Sequence, residues 1–279
     1  MIQSCLDQTH FDWELLFVDD GSTDDTVQII SSFAERDNRI HLVAQQQALG
    51  KVTAFNAAFA ASTGDVIVLC AGDDRLPARS LEVRVRLMAQ SYPATQRVLG
   101  LFKLITFSEN SKFDGMVLPR GNSGSRSGGS LTMSKELARE AFPIPPHLTA
   151  EDVWLGEVTR LLAEETHISK EIVLEYRIHP NNSNPRNQPF AKMTEASHKR
   201  ALAQKALLES DLPFPQEDRD IFAERWRLEQ LRLQGAWVHI LATGKLPLLD
   251  RVAVAAHAHP ILFRLRSFGY RWLSGLRGR

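Results

Sequence analysis

The chain has 279 residues, in which 33 lysine and arginine residues balance 33 aspartate and glutamate residues. This balance excludes a general electrostatic attraction to nucleic acid or to acidic partners, and the length is enough for one large core with a small second lobe. The two cysteines, Cys5 and Cys70, lie far apart, which predicts a reduced, cytosolic protein without a disulfide framework.

Strand and helix patterns alternate in the N-terminal part of the chain. Three apolar runs, LLFVDD, RIHLVAQ and DVIVLC, have the length of buried strands. Each is followed by a segment with helical spacing of its apolar residues, the last two being KVTAFNAAFAAS and ARSLEVRVRLMAQ. Because parallel strands need crossover connections, we expect an α/β fold with a mostly parallel sheet flanked by helices.

The second half of the chain is less regular. RVLGLFKLITF predicts a strand, GMVLP a second, EDVWLGEVTRLLAEE a helix and EIVLEYRI a further strand. RGNSGSRSGGS is a loop able to bring backbone N–H groups close to a ligand. From Ala191 to about Leu241 the pattern is helical. We therefore predict a catalytic domain over residues 1–190, a helical extension over 191–250 and a tail over 251–279.

Two acidic pairs follow predicted strands. Asp19 and Asp20 close LLFVDD, and Asp73 with Asp74 follows DVIVLC. Ligands of open α/β sheets bind outside the carboxyl ends of the strands, so both pairs are expected to face one crevice. Like charges repel there unless a cation offsets them, which favours Mg²⁺ or Mn²⁺ on Asp73 and a bridged phosphate. The alternatives are turn formation by the first pair and helix capping by Asp74.

A third acidic pair, Glu151 and Asp152, begins a predicted helix. The helix dipole favours carboxylates at this position, so capping explains the pair by itself. In the same cleft, one of the two would instead serve as a general base that deprotonates a hydroxyl. The sequence pattern alone leaves both interpretations open.

Four motifs in series resemble a family 2 glycosyltransferase of the GT-A fold. They are SCLDQTHFDWELLFVDDGSTDDT, GKVTAFNAAFAASTGDVIVLCAGDDRLPARSLE, TAEDVWLGE and YRIHPNNSN, and they span roughly residues 2 to 184 in the family's order. The resemblance implies a hexosyltransferase-type enzyme that moves a sugar from a nucleotide-sugar donor to an acceptor hydroxyl with inversion, assisted by Mn²⁺ or Mg²⁺. It also implies synthesis of a bacterial surface polysaccharide or lipopolysaccharide on a glycan or lipid-linked acceptor.

The resemblance assigns a role to each candidate site residue. Asp19, Asp20 and Asn56 match nucleotide-contacting positions, and Asp73 matches the last acid of the metal-binding Asp-x-Asp motif. Asp152 matches the catalytic base, with Glu151 beside it, and His179 matches a histidine near the diphosphate or metal. Arg126 and Arg177 are reserve candidates for phosphate contacts, with a solvated surface role as the alternative.

The chain departs from the family in two places. Ala71 replaces the first acid of Asp-x-Asp, which predicts weak metal affinity without donor. The family's first apolar strand is missing before SCLDQT, so we expect an unpaired edge beside LLFVDD and a truncated or mis-started chain. The rival functions are therefore a sugar-nucleotide pyrophosphorylase and a truncated, non-catalytic remnant.

The tail from Arg251 onward contains six arginines and no acid, interleaved with aromatic and aliphatic residues. Such a pattern is typical of an interfacial helix on anionic lipid, and a helix packed on the catalytic domain is the alternative. No apolar run approaches the roughly 20 residues of a membrane span, and no signal peptide precedes the first strand. We expect a cytoplasmic protein, peripheral at the inner face of the cell membrane.

Overall fold

A computed structural model describes residues 1–45, 47–91, 94–179 and 189–266 of the chain. The chain divides into two compact units, Met1–Asn182 and Ser183–Arg279. All candidate site residues lie in the first unit. The domain boundaries predicted at residues 190 and 250 remain predictions.

The first unit alternates helices and strands. Its helices are α1 (Ile2–Leu6), α2 (Thr26–Ala34), α3 (Lys51–Ala61), α4 (Ser80–Met88), α5 (Lys135–Ala141) and α6 (Glu151–Leu162). Its strands are β1 (Leu15–Asp19), β2 (Ile40–Gln45), β3 (Val66–Val68), β4 (Val98–Phe107), β5 (Val117–Leu118), β6 (Leu131–Ser134) and β7 (Glu165–Arg177).

Within the described residues the strands form two sheets. β1 and β2 pair in parallel as one sheet. In the other, β4 is central: it pairs with β7 in parallel along one edge and with β6 and β5 antiparallel along the other, and β3 adds to β6 antiparallel. The two longest ladders, β1–β2 and β4–β7, are thus parallel, whereas β3, β5 and β6 make the sheet mixed.

The edges of β1 and β3 that face away from their partners carry no ladder in the described part of the chain. The residues just before these two strands are nevertheless joined, because the carboxylate of Glu14 accepts hydrogen bonds from the N–H groups of Thr63 (2.6 Å) and Gly64 (2.9 Å). Because β1 pairs with β2 alone among the described strands, it has the unpaired edge beside Leu15–Val18 that the sequence predicts.

Several predicted boundaries were wrong. α6 ends at Leu162, and β7 begins at Glu165 rather than at Glu171. The first half of β7 is largely exposed, so it pairs with β4 without an apolar pattern that the sequence would reveal. β6 and α5 were not predicted: β6 is only four residues long and runs directly into the helix, whose N-cap, Ser134, accepts a hydrogen bond from Leu137 N–H.

The second unit is helical. It contains α7 (Phe190–Glu209), α8 (Gln216–Leu233), α9 (Trp237–Thr243) and α10 (Leu248–Ala255). The predicted break in the helical region lies between α7 and α8. Among the described helices of the protein, none combines the length and apolar character needed to cross a membrane. The tail residues from 267 to 279 lie outside the described part of the chain.

Candidate active site

Both carboxylates at the end of β1 bind backbone N–H groups. Asp19 is buried and accepts hydrogen bonds from Gly21 (3.3 Å) and Ser22 (3.2 Å), which closes the turn after the strand. Asp20 reaches further along the chain and accepts from Leu49 (2.7 Å) and Gly50 (2.9 Å), immediately before α3. The turn-forming role considered for this pair is thus visible, and a carboxylate with several acceptor sites retains capacity for a ligand.

The start of α3 also carries a link to the third acidic pair. Lys51, its first residue, forms an ion pair with Glu151 (2.7 Å), the first residue of α6. The Glu151 side chain is mostly buried, whereas Lys51 is more exposed. The N-terminal end of α3 therefore bonds Asp20 through backbone N–H groups and Glu151 through a charged side chain, which fixes the starts of α3 and α6 to the end of β1.

Asp73 and His179 come together although they are far apart in sequence. The Nε2 atom of His179 lies 3.0 Å from the Oδ2 atom of Asp73, and both side chains are partly exposed. The reason is local pairing: Arg75 and Glu175 exchange two backbone hydrogen bonds, which lays the turn after β3 along the end of β7. His179 follows β7 by two residues and so reaches Asp73.

Asp74 has a different role from its neighbour. Its side chain is buried, and its Oδ1 atom accepts a hydrogen bond from the Arg177 N–H at 2.9 Å. Burial raises the pKa of the Asp74 carboxyl to about 6, and the negative charge of Asp73 adds to this effect. The prediction that Asp74 partly caps the next helix was wrong, because α4 begins at Ser80 with Arg79 as its N-cap.

Asp152 lies half-buried in the first turn of α6, where the helix dipole stabilises its charge. One turn later on the same face, Gly156 is covered by Arg126, whose Cβ would lie 3.5 Å from a Cβ built on the glycine. Arg126 is exposed. Arg177 is the last residue of β7, and it has interactions besides its backbone bond to Asp74.

Asn56 has a structural task that the sequence did not indicate. Its side-chain Nδ2 donates to the carbonyl of Ile144 (2.8 Å), and its Oδ1 accepts from the N–H of the same residue (2.8 Å). Both ends of the amide therefore tie α3 to the segment after α5. Its nucleotide-binding role stays a prediction.

The described residues offer few side-chain donor atoms for Mg²⁺ or Mn²⁺. In the described ranges no three or more His, Cys, Asp or Glu side chains are grouped to hold a metal ion. Asp73 and His179 supply one carboxylate oxygen and one imidazole nitrogen at hydrogen-bonding distance from each other. This partial set fits a cation that takes most of its ligands from phosphates and water.

Lys51 and Lys103 are functional candidates that the sequence patterns did not indicate. Lys51 begins a segment with helical spacing, and only the structure shows its partner Glu151. Lys103 stands alone in the apolar run VLGLFKLITF. A single charge inside a run that must be buried signals a specific partner, and that signal was available in the sequence.

The fold and this site together define a class of protein. An α/β unit with acidic residues at the carboxyl ends of its strands is similar to S. aureus TarS in complex with UDP-GlcNAc, with a TM-score of 0.59 over 92% of this chain and 74% of that chain. At 17% identity this likeness shows the fold alone. The class is therefore that of proteins with the GT-A fold.

Sequence comparison identifies the family. Residues 1–140 match the model of "Glycosyl transferase family 2", so the chain belongs to that family. It is 34% identical over 89 residues to TuaG of Bacillus subtilis, a putative teichuronic acid biosynthesis glycosyltransferase, covering 32% of this chain and 35% of TuaG. It is 36% identical over 90 residues to the Escherichia coli UDP-Glc:alpha-D-GlcNAc-diphosphoundecaprenol beta-1,3-glucosyltransferase WfgD, covering 32% and 35%. The chain spans about half the length, or less, of the curated relatives that it matches.

Proposed function

We propose that this protein is a glycosyltransferase that moves a sugar from a nucleotide-sugar donor to an acceptor hydroxyl during synthesis of a bacterial surface polysaccharide. The observation that carries the proposal is the contact between Asp73 and His179 beside the carboxyl end of β3, in a chain of this family. The names of TuaG and WfgD, which refer to teichuronic acid and to a lipid-linked sugar acceptor, support the polysaccharide context.

The donor in this proposal is a uridine diphosphate sugar. The TarS structure holds UDP-GlcNAc, and the name of WfgD specifies UDP-Glc. Asp19 and Asp20, at the end of β1, are the proposed nucleoside ligands, and their backbone hydrogen bonds hold both carboxylates in place. Arg177 is the proposed phosphate contact near the donor, because its N–H is bonded to Asp74 next to Asp73.

Asp73 and His179 would hold the divalent metal. When bound, Mn²⁺ or Mg²⁺ supplies positive charge that stabilises the departing nucleoside diphosphate. Ala71 offers no ligand atom in its side chain. We therefore expect the metal to bind tightly only with the donor, whose phosphates complete its coordination.

Asp152 is the proposed general base. Glu151 forms an ion pair with Lys51 at 2.7 Å, and Asp152 occupies the position that matches the family's catalytic base, a carboxylate able to accept a proton. In this scheme Asp152 takes the proton of the acceptor hydroxyl while the oxygen of that hydroxyl attacks the anomeric carbon of the donor sugar. The attack comes from the face opposite the departing diphosphate, and the configuration at that carbon is inverted.

The proposed location is the cytoplasmic face of the cell membrane, where the protein binds peripherally. Large exposed apolar side chains are concentrated in the second unit, and several occupy one stripe of α10 (Leu248, Leu249 and Val252) or follow it (Ile261 and Leu265). Leu249 is 82% exposed. The arginines from residue 251 onward, without an acid, supply the charge that anionic lipid attracts.

Donor binding and transfer test the proposal separately. Calorimetry with UDP-Glc and UDP-GlcNAc in the presence of Mn²⁺ should show binding, and Asp73→Asn should weaken it. Asp152→Asn should abolish transfer while donor affinity stays within about twofold, since a base contributes to the reaction rather than to donor binding. Arg139→Gln, which changes an exposed residue of α5, is the matched control.

Other outcomes would favour the rival functions. Absence of heat with every donor at millimolar concentration would favour a non-catalytic remnant. Release of pyrophosphate from a nucleoside triphosphate and a sugar phosphate would favour a pyrophosphorylase.

Flotation with anionic vesicles tests the proposed location. The fraction of protein that floats with the vesicles should fall in a Leu248→Ser, Leu249→Ser variant, and an unchanged fraction would contradict the proposed membrane contact.

A further inference from the structure

The loop between β5 and β6 lies in a strongly cationic part of the chain. No acidic residue occurs between Asp114 and Glu136. The same stretch contains Arg120 and Arg126, and both are exposed. Within the part of the chain that the structure describes, neither arginine side chain makes an ion pair or a hydrogen bond. The loop therefore presents two arginines with no carboxylate to neutralise them.

A buried lysine holds the first half of this loop from beneath. Lys103 of β4 is 4% exposed, and its Nζ atom donates to the carbonyls of Pro119 (2.5 Å), Gly121 (2.7 Å) and Ser123 (2.6 Å). In a trans peptide the carbonyl and the following N–H point in opposite directions. The N–H groups of Arg120, Asn122 and Gly124 thus point away from the ammonium. Among the described residues, none of these three N–H groups donates a backbone hydrogen bond.

A buried arginine holds the second half. Arg84 of α4 is fully buried, and burial lowers the pKa of its guanidinium to about 9, so it stays protonated at neutral pH. It bonds to oxygen atoms only, none of them a carboxylate: those of Ser80, Gly129, Leu131, Thr132 and Val173. Two buried positive charges therefore lie under one loop without a bonded acid, which makes the potential at its surface positive.

Two glycines pack the loop tightly on the sheet. A Cβ on Gly124 would lie 2.4 Å from the Cβ of Leu101, and a Cβ on Gly129 would lie 2.8 Å from Leu174. Ser125 continues the contact by donating its N–H to the Phe102 carbonyl at 2.7 Å. The glycines here allow close approach, and the loop is fixed in place by β4 and β7.

The loop meets α6 on the face that carries Asp152. Arg126 covers Gly156, and residues 152 and 156 are four apart in one helix, so they lie on the same face. In an inverting transfer the base lies beside the acceptor, opposite the departing diphosphate. Arg126 lies against α6 one helical turn from Asp152 and on the same helix face, which is the side proposed for the acceptor, whereas Asp73 and His179 are the groups proposed for the donor diphosphate.

We propose that the loop over residues 119–130 binds a phosphate group of the acceptor substrate. Arg126 is the direct ligand, and Lys103 and Arg84 are positioning residues that hold the loop and make its surface positive. The inference rests on the proposed function, because the acceptor side is defined by Asp152. It narrows the acceptor to a phosphate-bearing molecule, such as a sugar linked to a lipid phosphate or a phosphate-containing polymer.

Binding of a simple phosphate ester tests the inference without transfer. Hexyl phosphate should bind the parent protein in calorimetry, hexanol should not, and added salt should weaken the binding. Arg126→Gln should weaken hexyl phosphate binding at least tenfold and leave UDP affinity within twofold, and Arg139→Gln should change neither. Unchanged hexyl phosphate binding in Arg126→Gln would overturn the proposal. An equal loss of UDP affinity would also overturn it, because the anion would then be the donor's.

The positioning residues are tested by substitutions that keep their volume. Lys103→Met and Arg84→Met should raise the KM for a phosphate-bearing acceptor tenfold with kcat unchanged, whereas a general loss of folding would lower both donor binding and kcat. Should either variant fail to fold, the arms with Arg126→Gln still decide the proposal. Hexyl phosphate binding in a protein that binds no nucleotide sugar would support this loop while refuting the proposed donor site.

Discussion

Replacing Asn56 with alanine separates two roles that this residue has been given. The resemblance to family 2 assigns it to the nucleotide, whereas the structure bonds both ends of its amide to the backbone of Ile144 at 2.8 Å. Ile144 is fully buried, so water cannot replace the lost partner easily. Each orphaned buried group costs about 1–3 kcal/mol, and Asn56→Ala leaves two of them, so we expect it to lower the free energy of unfolding by about 2–6 kcal/mol.

Asn56→Asp supplies a matched control. Its carboxylate still accepts from the Ile144 N–H but faces the Ile144 carbonyl with a second acceptor, so the variant should be as unstable as Asn56→Ala at pH 7. Protonation of the introduced carboxylate restores a donor that can bond to the Ile144 carbonyl. Urea unfolding should therefore show the aspartate variant gaining stability over the alanine variant as the pH falls below about 5.

Nucleotide binding completes the experiment. If Asn56 acts only through Ile144, UDP affinity in Asn56→Ala should stay within about threefold once the protein is shown to be folded. Unchanged unfolding free energy together with a large loss of UDP affinity would refute the structural reasoning and restore the role assigned by the family resemblance. The two assays therefore give opposite results for the two roles.

Three further predictions concern stability. Asp74→Asn in metal-free buffer should be more stable than the parent at pH 8 by up to about 3 kcal/mol and equal to it near pH 4. The reason is that burial raises the pKa of Asp74 to about 6 in the folded protein. The stabilisation from the protonated carboxyl is therefore complete below the pKa of an unfolded aspartate and is lost as the pH rises through 6. A constant difference across this range in urea unfolding would contradict the assignment. His257→Gln should flatten the fall in stability between pH 6.5 and 4, since burial lowers the pKa of His257 to about 4 and its neutral form stabilises the fold above that range. Gly124→Ala should lower the free energy of unfolding by about 1–3 kcal/mol or more, whereas Gly72→Ala, with open space around its Cβ position, should be nearly neutral; thermal unfolding of both variants checks the contrast.

The alternation of the first three strands with helices was predictable because buried strands in an α/β fold are continuous apolar runs. β1, β2 and β3 each lie within such a run. The first half of β7 was not predictable in this way, because it is exposed and its pairing with β4 depends on backbone hydrogen bonds that need no apolar pattern. The short β6 was missed for a different reason: it is buried along its whole length, but four residues hold too little periodicity to indicate a strand.

The candidate site was only partly predictable from its residues. Acidic pairs at strand ends pointed to a ligand site, but the partner of Asp73 lies 106 residues away and was found by family resemblance rather than by spacing. The structure supplies the physical reason, which is the pairing of Arg75 with Glu175. Local sequence patterns do not indicate a pairing between residues so far apart in the chain. The ion pair between Lys51 and Glu151 was unpredictable for the same reason.

Turn formation and ligand binding are alternative roles for Asp19 and Asp20 in the sequence, but one carboxylate can have both roles in the structure. Asp20 accepts N–H groups at the start of α3, and Asp19 closes the turn after β1. These backbone bonds fix the orientation of each carboxylate, and a carboxylate with about four acceptor sites can contact more than one partner. An acid held in this way does not have to be ordered when the ligand arrives, which lowers the entropy cost of binding. The backbone bonds of Asp19 and Asp20 would therefore preorganise the nucleotide site that we propose.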